Sequence, residues 1–360
     1  MRFPNFEGEW KVKKLGEVCE IKTGNKDTQN KVENGKYPFF VRSNTVEKID
    51  SYSYDGEAIL TSGDGVGVGK NFHYINGKFD FHQRVYALRN FRNGYSGKYI
   101  YHLFSEKFYD RVRKLSAKNS VDSVRMDMIS EMKVYFPLLL EQQKISSFLS
   151  LIDERMQTQN KIINDLKTLK IATAKKIFSG ELRFKDDNGN DFSEWEDKKL
   201  GDISIKKSSN ISANTLEENQ GNFKIYGANG LLKEIDFYRE EKPYIAIVKD
   251  GAGVGRLLLC EGKSSVLGTL DIIKNKEQTD LLFLYYLLET IDFTKFTTGS
   301  TIPHIYFKDY SKEIIGLPSF PEQTKIANFL SSIDSKIDIE NQLLQKLEAQ
   351  KKYLLQNMFV

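Results

Sequence analysis

Cysteine is nearly absent from this chain of 360 residues. It has two, Cys19 and Cys260, far apart and outside any C-x-x-C pair. That excludes a disulfide framework and a cysteine zinc site, and leaves two buried thiols in a reducing compartment as the expectation. The four histidines, His73, His82, His102 and His304, share no H-x-x-x-H spacing, so no histidine-based metal site is expected. Among seven prolines there is neither a Pro-Pro nor a Pro-Cys dipeptide. The proline loop of amino-methyltransferases and the Pro-Cys nucleophile are therefore both missing. No stretch approaches eighteen uninterrupted apolar residues, and residues 1–7 hold no apolar signal-peptide core. A cytoplasmic protein without a membrane span is expected. Charge of one sign is also scarce: 53 Lys and Arg against 49 Asp and Glu give +4, too little to identify a polyanionic partner by itself.

What the chain does have is itself, twice. The segment Glu141-Gln142-Gln143-Lys144-Ile145 through Ile152-Asp153 returns as Glu322-Gln323-Thr324-Lys325-Ile326 through Ile333-Asp334, an offset of 181. Upstream, Glu9-Trp10 and Lys14-Leu15-Gly16 return as Glu194-Trp195 and Lys199-Leu200-Gly201, and a short insertion near Asp187 accounts for the changed offset. Asp64-Gly65-Val66-Gly67-Val68-Gly69-Lys70 matches Asp250-Gly251-Ala252-Gly253-Val254-Gly255-Arg256, and Arg2-Phe3 matches Arg183-Phe184. Met358-Phe359-Val360 matches Ile177-Phe178-Ser179, so the end of the second repeat would lead back to the start of the first.

Each repeat closes on a helix whose apolar positions keep a heptad. In the first, the rows are Ile145, Ile152, Gln159, Leu166, Thr173 and Leu149, Met156, Ile163, Lys170, Ile177; in the second, Ile326, Ile333, Glu340, Leu347, Leu354 and Leu330, Ile337, Leu344, Lys351, Met358. Neither segment has an internal Pro or Gly, and about 38 residues make a rod of roughly 57 Å. So long a seam is best buried against its equal, so the two helices are expected to form an antiparallel coiled coil, with Lys170 opposite Glu340 and Gln159 opposite Lys351. The alternatives are that each helix packs on its own globular region or pairs with a helix of another chain.

The remaining sequence reads as mixed α/β. Ala58-Ile59-Leu60, Val85-Tyr86-Ala87-Leu88, Tyr244-Ile245-Ala246-Ile247-Val248 and Leu257-Leu258-Leu259 read as strands, and residues 99–112 and 281–289 as helices. The expected layout is α+β with boundaries at 1–136 and 183–317 for two globular domains, and 137–182 and 318–360 for two long helices.

Two motifs invite a catalytic reading and fail. The glycine-rich run 63–71 lacks the spacing of a phosphate-binding loop: Asp64 stands where a glycine should, Asn71 replaces the magnesium-binding Ser/Thr, and the second copy has Arg256 in place of the lysine. A turn with positive φ and a cation at its tip is the structural reading. Asp250, Glu261 and Lys263 have the loose spacing of a nuclease metal site, but the first repeat has Ile75 or Asn76 where Glu261 falls.

A globular region, a long helix starting near Pro-x-x-x-Glu-Gln, and the same again resembles the specificity (S) subunit of type I restriction-modification systems. Phe136-Pro137 through Asp153, Leu317-Pro318 through Asp334, the segments around Trp10 and Trp195, and Thr298-Gly299-Ser300-Thr301 carry the likeness. The resemblance implies two target-recognition domains related by a pseudo-two-fold, each reading half of a bipartite site in double-stranded DNA, with the helices as spacer. It implies two methyltransferase (M) subunits and restriction/translocase (R) subunits as partners. S-adenosylmethionine, ATP and magnesium would be used by those partners, with no cofactor and no catalysis in this chain.

Base reading needs polar side chains presented from loops. The candidates are Arg42, Asn44, Lys70, His82, Gln83, Arg84, Asn119 and Arg125 in the first domain, and Asn229, Lys249, Arg256, Ser300, Thr301, His304 and Lys308 in the second. Glu141, Gln142, Glu322 and Gln323, at the helix starts, are the candidate partner-binding positions, although a carboxylate there also complements the helix dipole. The rival readings are a duplicated coiled-coil scaffold and a free-standing DNA-binding regulator with no methyltransferase partner.

Overall fold

In the first repeat the run Tyr54–Ser62, apolar at Ala58-Ile59-Leu60, becomes a central strand. It pairs antiparallel with Phe72–Phe81 on one side and Val85–Arg89 on the other, with Ile59 opposite both Tyr74 and Leu88. Glu20–Thr23 extends the sheet beyond Val85–Arg89. At the other side Tyr37–Phe40 joins parallel to Phe72–Phe81 and carries Val46–Ile49 at the edge. The period-2 alternation sorts side chains onto two faces. Ile59 and Leu88 face a core with Tyr99, Phe104 and Phe108 of helix Gly97–Leu115; Ala58, Leu60, Phe79, Phe81 and Ala87 form a second core behind them.

The second repeat uses the same device. Its sheet runs Ser204–Ser208, Leu270–Asn275, Tyr244–Val248, Leu257–Cys260, all antiparallel. Ile245, Ile247 and Ile273 face helix Leu281–Glu289, while Tyr244, Ala246, Val248 and Ile272 face away. A smaller sheet joins Gly230–Ile235, Phe223–Gly227 and Ser265–Val266. In each repeat a two-stranded clasp closes the globular part just before the long helix: Lys11–Lys14 with Lys133–Phe136, and Glu196–Lys199 with Ile314–Leu317.

The structure is a computed structural model that describes residues 2–116, 123–216 and 218–359. They gather into two units, Met1–Asn160 with Gln342–Val360, and Lys161–Asn341. The long helices Leu139–Phe178 and Phe320–Met358 each contribute to both. In the first unit Ile145, Leu149 and Ile152 share a core with Leu354, Met358 and Phe359; in the second Ala174 and Ile177 share one with Ile326, Ala327 and Leu330. The helices therefore pack on globular regions, and every member of their heptad rows is buried or half-buried. Tyr99 against Phe359 and Phe283 against Phe178 are the same contact in the two repeats, at 5.3 and 5.5 Å between ring centroids.

The ion pairs correct the expected register. Lys170 Nζ meets Asp334 at 2.9 Å and Glu289 at 2.8 Å rather than Glu340, and Lys351 meets Asp153 at 2.5 Å rather than Gln159. Asp153 and Asp334 follow seam residues on the long helices and Glu289 ends the globular helix Leu281–Glu289, and a lysine is long enough to carry its ammonium out of an apolar seam to a carboxylate beside it. No helix among the described residues is long and apolar enough to cross a membrane.

Candidate nucleic-acid interface

The loops at one edge of the first unit bring separate stretches of sequence together around Asp64. Its carboxylate receives Arg42 Nη1 at 2.9 Å and lies 3.7 Å from Arg84 Nε. Gly63 O accepts the N–H of Val124 at 2.7 Å, which draws the segment bearing Arg125 alongside. The glycine-rich loop begins there: Gly65 at φ +83° and Gly69 at φ +66° turn the chain, and Val68 N donates to Gly65 O. Lys70 ends the loop with its ammonium 5.2 Å from the centre of the Tyr109 ring. Asn44, Lys70, Gln83, Arg84 and Arg125 are all exposed. Exposed pairs such as Arg42 with Asp64 contribute little stability, so each arginine can leave its carboxylate for a phosphate or a base edge at small cost.

His82 is corrected. Its side chain is 3% exposed, and Nδ1 accepts the backbone N–H of Arg84 at 2.9 Å. Burial holds the ring below its ordinary pKa, so it is neutral and shapes the turn that presents Gln83 and Arg84 instead of reaching DNA. Asn119 lies outside the described residues.

The equivalent edge of the second unit is built on Asp250, Gly251 and Gly255, with Val254 N donating to Gly251 O. Arg256 does not project from the tip: its Nη1 donates to Ala228 O and Asn229 Oδ1, both at 2.9 Å, and ties the loop to the neighbouring turn. Thr298 and His304 exchange two backbone hydrogen bonds and Gly251 N donates to Pro303 O, so Ser300 and Thr301 stand exposed at the end of a short hairpin. Lys249 and Lys308 flank a cleft of about 460 Å³ beside that hairpin. Sequence reading passed over Lys206, Ser208 and Asp271 in this cleft, because a strand interior gives no signal of which neighbour faces it.

The four helix-start residues are also corrected. Glu141 and Glu322 are 0% exposed and Gln142 and Gln323 1%, so none offers its side chain to a partner. Glu141 accepts Arg2 Nε and Nη2, each at 2.7 Å; Glu322 accepts Arg183 at 3.2 and 2.9 Å and Trp195 Nε1 at 3.0 Å. Gln142 Oε1 takes the N–H of Ser96 while Nε2 donates to Gly94 O and Pro137 O; Gln323 repeats this with Asp280, Gln278 and Pro318. The repeated Glu-Gln thus ties the opening segment, the globular helix and the clasp to the long helix.

The nuclease-like spacing does not assemble. Asp250 follows one strand of a hairpin and Glu261 the other, at opposite ends, and Glu261 pairs with Lys224 at 2.8 Å. Among the described residues no three His, Cys, Asp or Glu side chains are grouped to hold a metal. Both cysteines are free, and burial pushes each thiol up to about 12.

The description of the type I restriction modification DNA specificity domain matches this chain twice, over residues 7–168 and 192–349. The EcoDI specificity subunit of Escherichia coli is 23% identical over 387 residues, covering 93% of this chain and 84% of that protein. The putative MjaX specificity subunit of Methanocaldococcus jannaschii is 26% identical over 374 residues, covering 96% and 82%. In shape, the S subunit of the M. genitalium type I restriction-modification system has a TM-score of 0.69 at 19% identity, covering 99% of this chain and 97% of that one. A chain from a structural study of complex assembly and conformational transition of the type I R-M system has a TM-score of 0.59 at 14% identity, covering 98% of each.

Proposed function

Because this chain belongs to the type I restriction-modification DNA specificity family, the non-catalytic subunits that recognise the DNA target, we propose that each of its units reads one half of a bipartite site. The observation that carries this is the double match over 7–168 and 192–349, together with two units of one layout whose corresponding loop edges differ in side chains. In the first unit Arg42, Asn44, Lys70, Gln83, Arg84 and Arg125 are the contacts on that edge, with Asn119 close in sequence. In the second they are Asn229, Lys249, Arg256, Ser300, Thr301, His304 and Lys308, with Arg256 acting through the turn it braces.

The long helices act in this reading as an antiparallel spacer. Asp153 with Lys351 and Lys170 with Asp334 support it, since each pair joins the early part of one helix to the late part of the other. Half-sites about one turn apart are roughly 34 Å centre to centre, within the span of helices of this length. Two M subunits dock on the complex and bring S-adenosylmethionine; R subunits bring ATP and magnesium chemistry. The assembly works on cytoplasmic DNA.

The test is an exchange of residues 183–316 for the equivalent region of a related subunit, read by methylome sequencing. One half of the recognised sequence changes and the other stays methylated. Adding one heptad to both helices lengthens the spacer and keeps both halves. A swap that scrambles both half-sites overturns the two-reader account. A wrong base pair costs about 1 to 3 kcal/mol, so loss of a whole reader abolishes specific binding.

A further inference from the structure

The two sheets carry one revealing difference at matched positions. In the first unit Gly63 lies against the ring of Tyr86: a Cβ on Gly63 would meet that ring at 3.0 Å and Arg84 O at 2.8 Å. Strand registers put Lys249 and Asp271 at the same two places in the second unit, since Ile59 opposite Leu88 corresponds to Ile245 opposite Ile273. Where one unit fills the space with an aromatic ring, the other sets an ammonium 3.3 Å from a carboxylate and leaves the cleft of about 460 Å³ open.

Asp271 is 5% exposed and organises the cleft. Its Oδ1 accepts Ser208 Oγ at 2.9 Å as well as Lys249, and Lys206 Nζ stands 3.9 Å from Oδ2 while donating to Ser208 Oγ at 2.8 Å. Lys308 closes the other side, held among the described residues only by the Tyr306 ring 5.3 Å from its ammonium. Lys249 O accepts the N–H of Ile305, which fixes this segment to the sheet. Asp250 also lines the cleft, so three lysines face two aspartates and one positive charge is left over. One surplus charge with several N–H and O–H donors is matched by a singly charged anion with several acceptor oxygens.

We propose that this cleft is a phosphodiester site, in which Lys249, Lys206 and Lys308 hold one DNA backbone phosphate, and that the first unit has no counterpart because Tyr86 fills it. The inference rests on the DNA-reading function above and assigns these lysines to anchoring rather than base choice. Phosphate contacts fix register without carrying sequence information, so the second unit is anchored at a point where the first is not.

The experiment measures binding of the assembled modification complex to its target duplex across a salt series. Lys308→Ala weakens binding about tenfold, and the slope of log K against log salt falls by about 0.9. Lys249→Ala does the same. Base preference is unchanged. Replacing successive phosphates by neutral methylphosphonate in the second half-site then finds one position at which wild type drops to the variant's affinity and the variant loses nothing more. An unchanged slope, a relaxed base preference in either variant, or no such phosphate overturns the proposal. Arg42→Ala in the first unit separates the two levels: if it still weakens binding, only the phosphate site has failed, and if neither edge responds the DNA-reading assignment fails with it.

Discussion

His102 is 3% exposed, and its ring lies between the two long helices and the first globular helix: Nε2 is 3.4 Å from Ser150 Oγ, and Nδ1 is 3.9 Å from Asp153, which pairs with Lys351. Burial, opposed by Asp153 and assisted by Lys351 and Lys98, pushes its pKa down to about 4. In the unfolded chain the same ring titrates near 6.5. Above pH 6.5 neither state is protonated and the residue is neutral in its effect. As pH falls from 6.5 towards 4 the unfolded chain takes up a proton that the folded one refuses, so stability is lost over that window. A difference of roughly 2.5 pH units is worth about 3 kcal/mol, or about 1.5 M in urea midpoint at a slope of roughly 2 kcal/mol/M. The repeat supplies the control. Six residues beyond the helix cap, where the first unit has His102, the second has Tyr286, whose hydroxyl donates to Asp334 at 2.8 Å. His102→Tyr therefore keeps a partner for Asp153 and removes the titration. Trp10 lies in the first unit, packed on Tyr99 at 6.4 Å, so in a Trp195→Phe background its fluorescence reports that unit alone. The Trp10 midpoint is expected to fall between pH 6.5 and 4 with His102 and to fall much less with tyrosine. An equal fall in both would refute the assignment and leave the carboxylates responsible.

Glu322→Ala strips Arg183 and Trp195 of a buried acceptor and is expected to cost the second unit about 3 kcal/mol in urea unfolding, with Glu322→Gln costing less because it still accepts from Trp195. Lys170→Ala removes two ion pairs where Lys351→Ala removes one, so it is expected to be roughly twice as destabilising, about 2 against 1 kcal/mol by urea unfolding. Gly24→Ala would set a Cβ 1.9 Å from Phe81 O, which only a backbone shift can relieve, so soluble yield and the Trp10 transition should both drop sharply. Arg42→Ala with Arg84→Ala is expected to weaken recognition of one half-site and leave the other unchanged, as a panel of singly mismatched duplexes would show.

Much of this architecture was legible because duplication and periodicity repeat over many residues. The heptad rows are buried or half-buried, strands form over the runs Ala58-Ile59-Leu60 and Tyr244–Val248, and helix Leu281–Glu289 has the expected bounds. The register of the long helices was harder to read, because a heptad pattern looks much the same after a small slide. Lys170 chose a carboxylate beside the seam and another from the globular helix, neither of which periodicity reveals. Glu141 and Glu322 read as surface residues since helix starts usually are, but their arginines stand 139 residues upstream. The signal was present all the same: Arg2 and Arg183 repeat in step with Glu141 and Glu322. His82 resembles its exposed neighbours Gln83 and Arg84 in sequence, and only the three-dimensional turn shows that its ring points inward.

The core of the first unit includes Leu354, Leu355, Met358 and Phe359, which leave the ribosome long after Phe108 or Ile145. Residues 161–341, by contrast, form one uninterrupted stretch. Synthesis and completion therefore run in opposite orders: the half made first holds an open apolar surface until the second half has emerged, roughly 10 to 40 s at 5 to 20 residues per second. A chain cut short after residue 341 keeps all of the later unit and leaves the earlier one unfinished. Nascent chains that stall or lose this tail arrive with their first core exposed, which makes them ready substrates for chaperones and proteases.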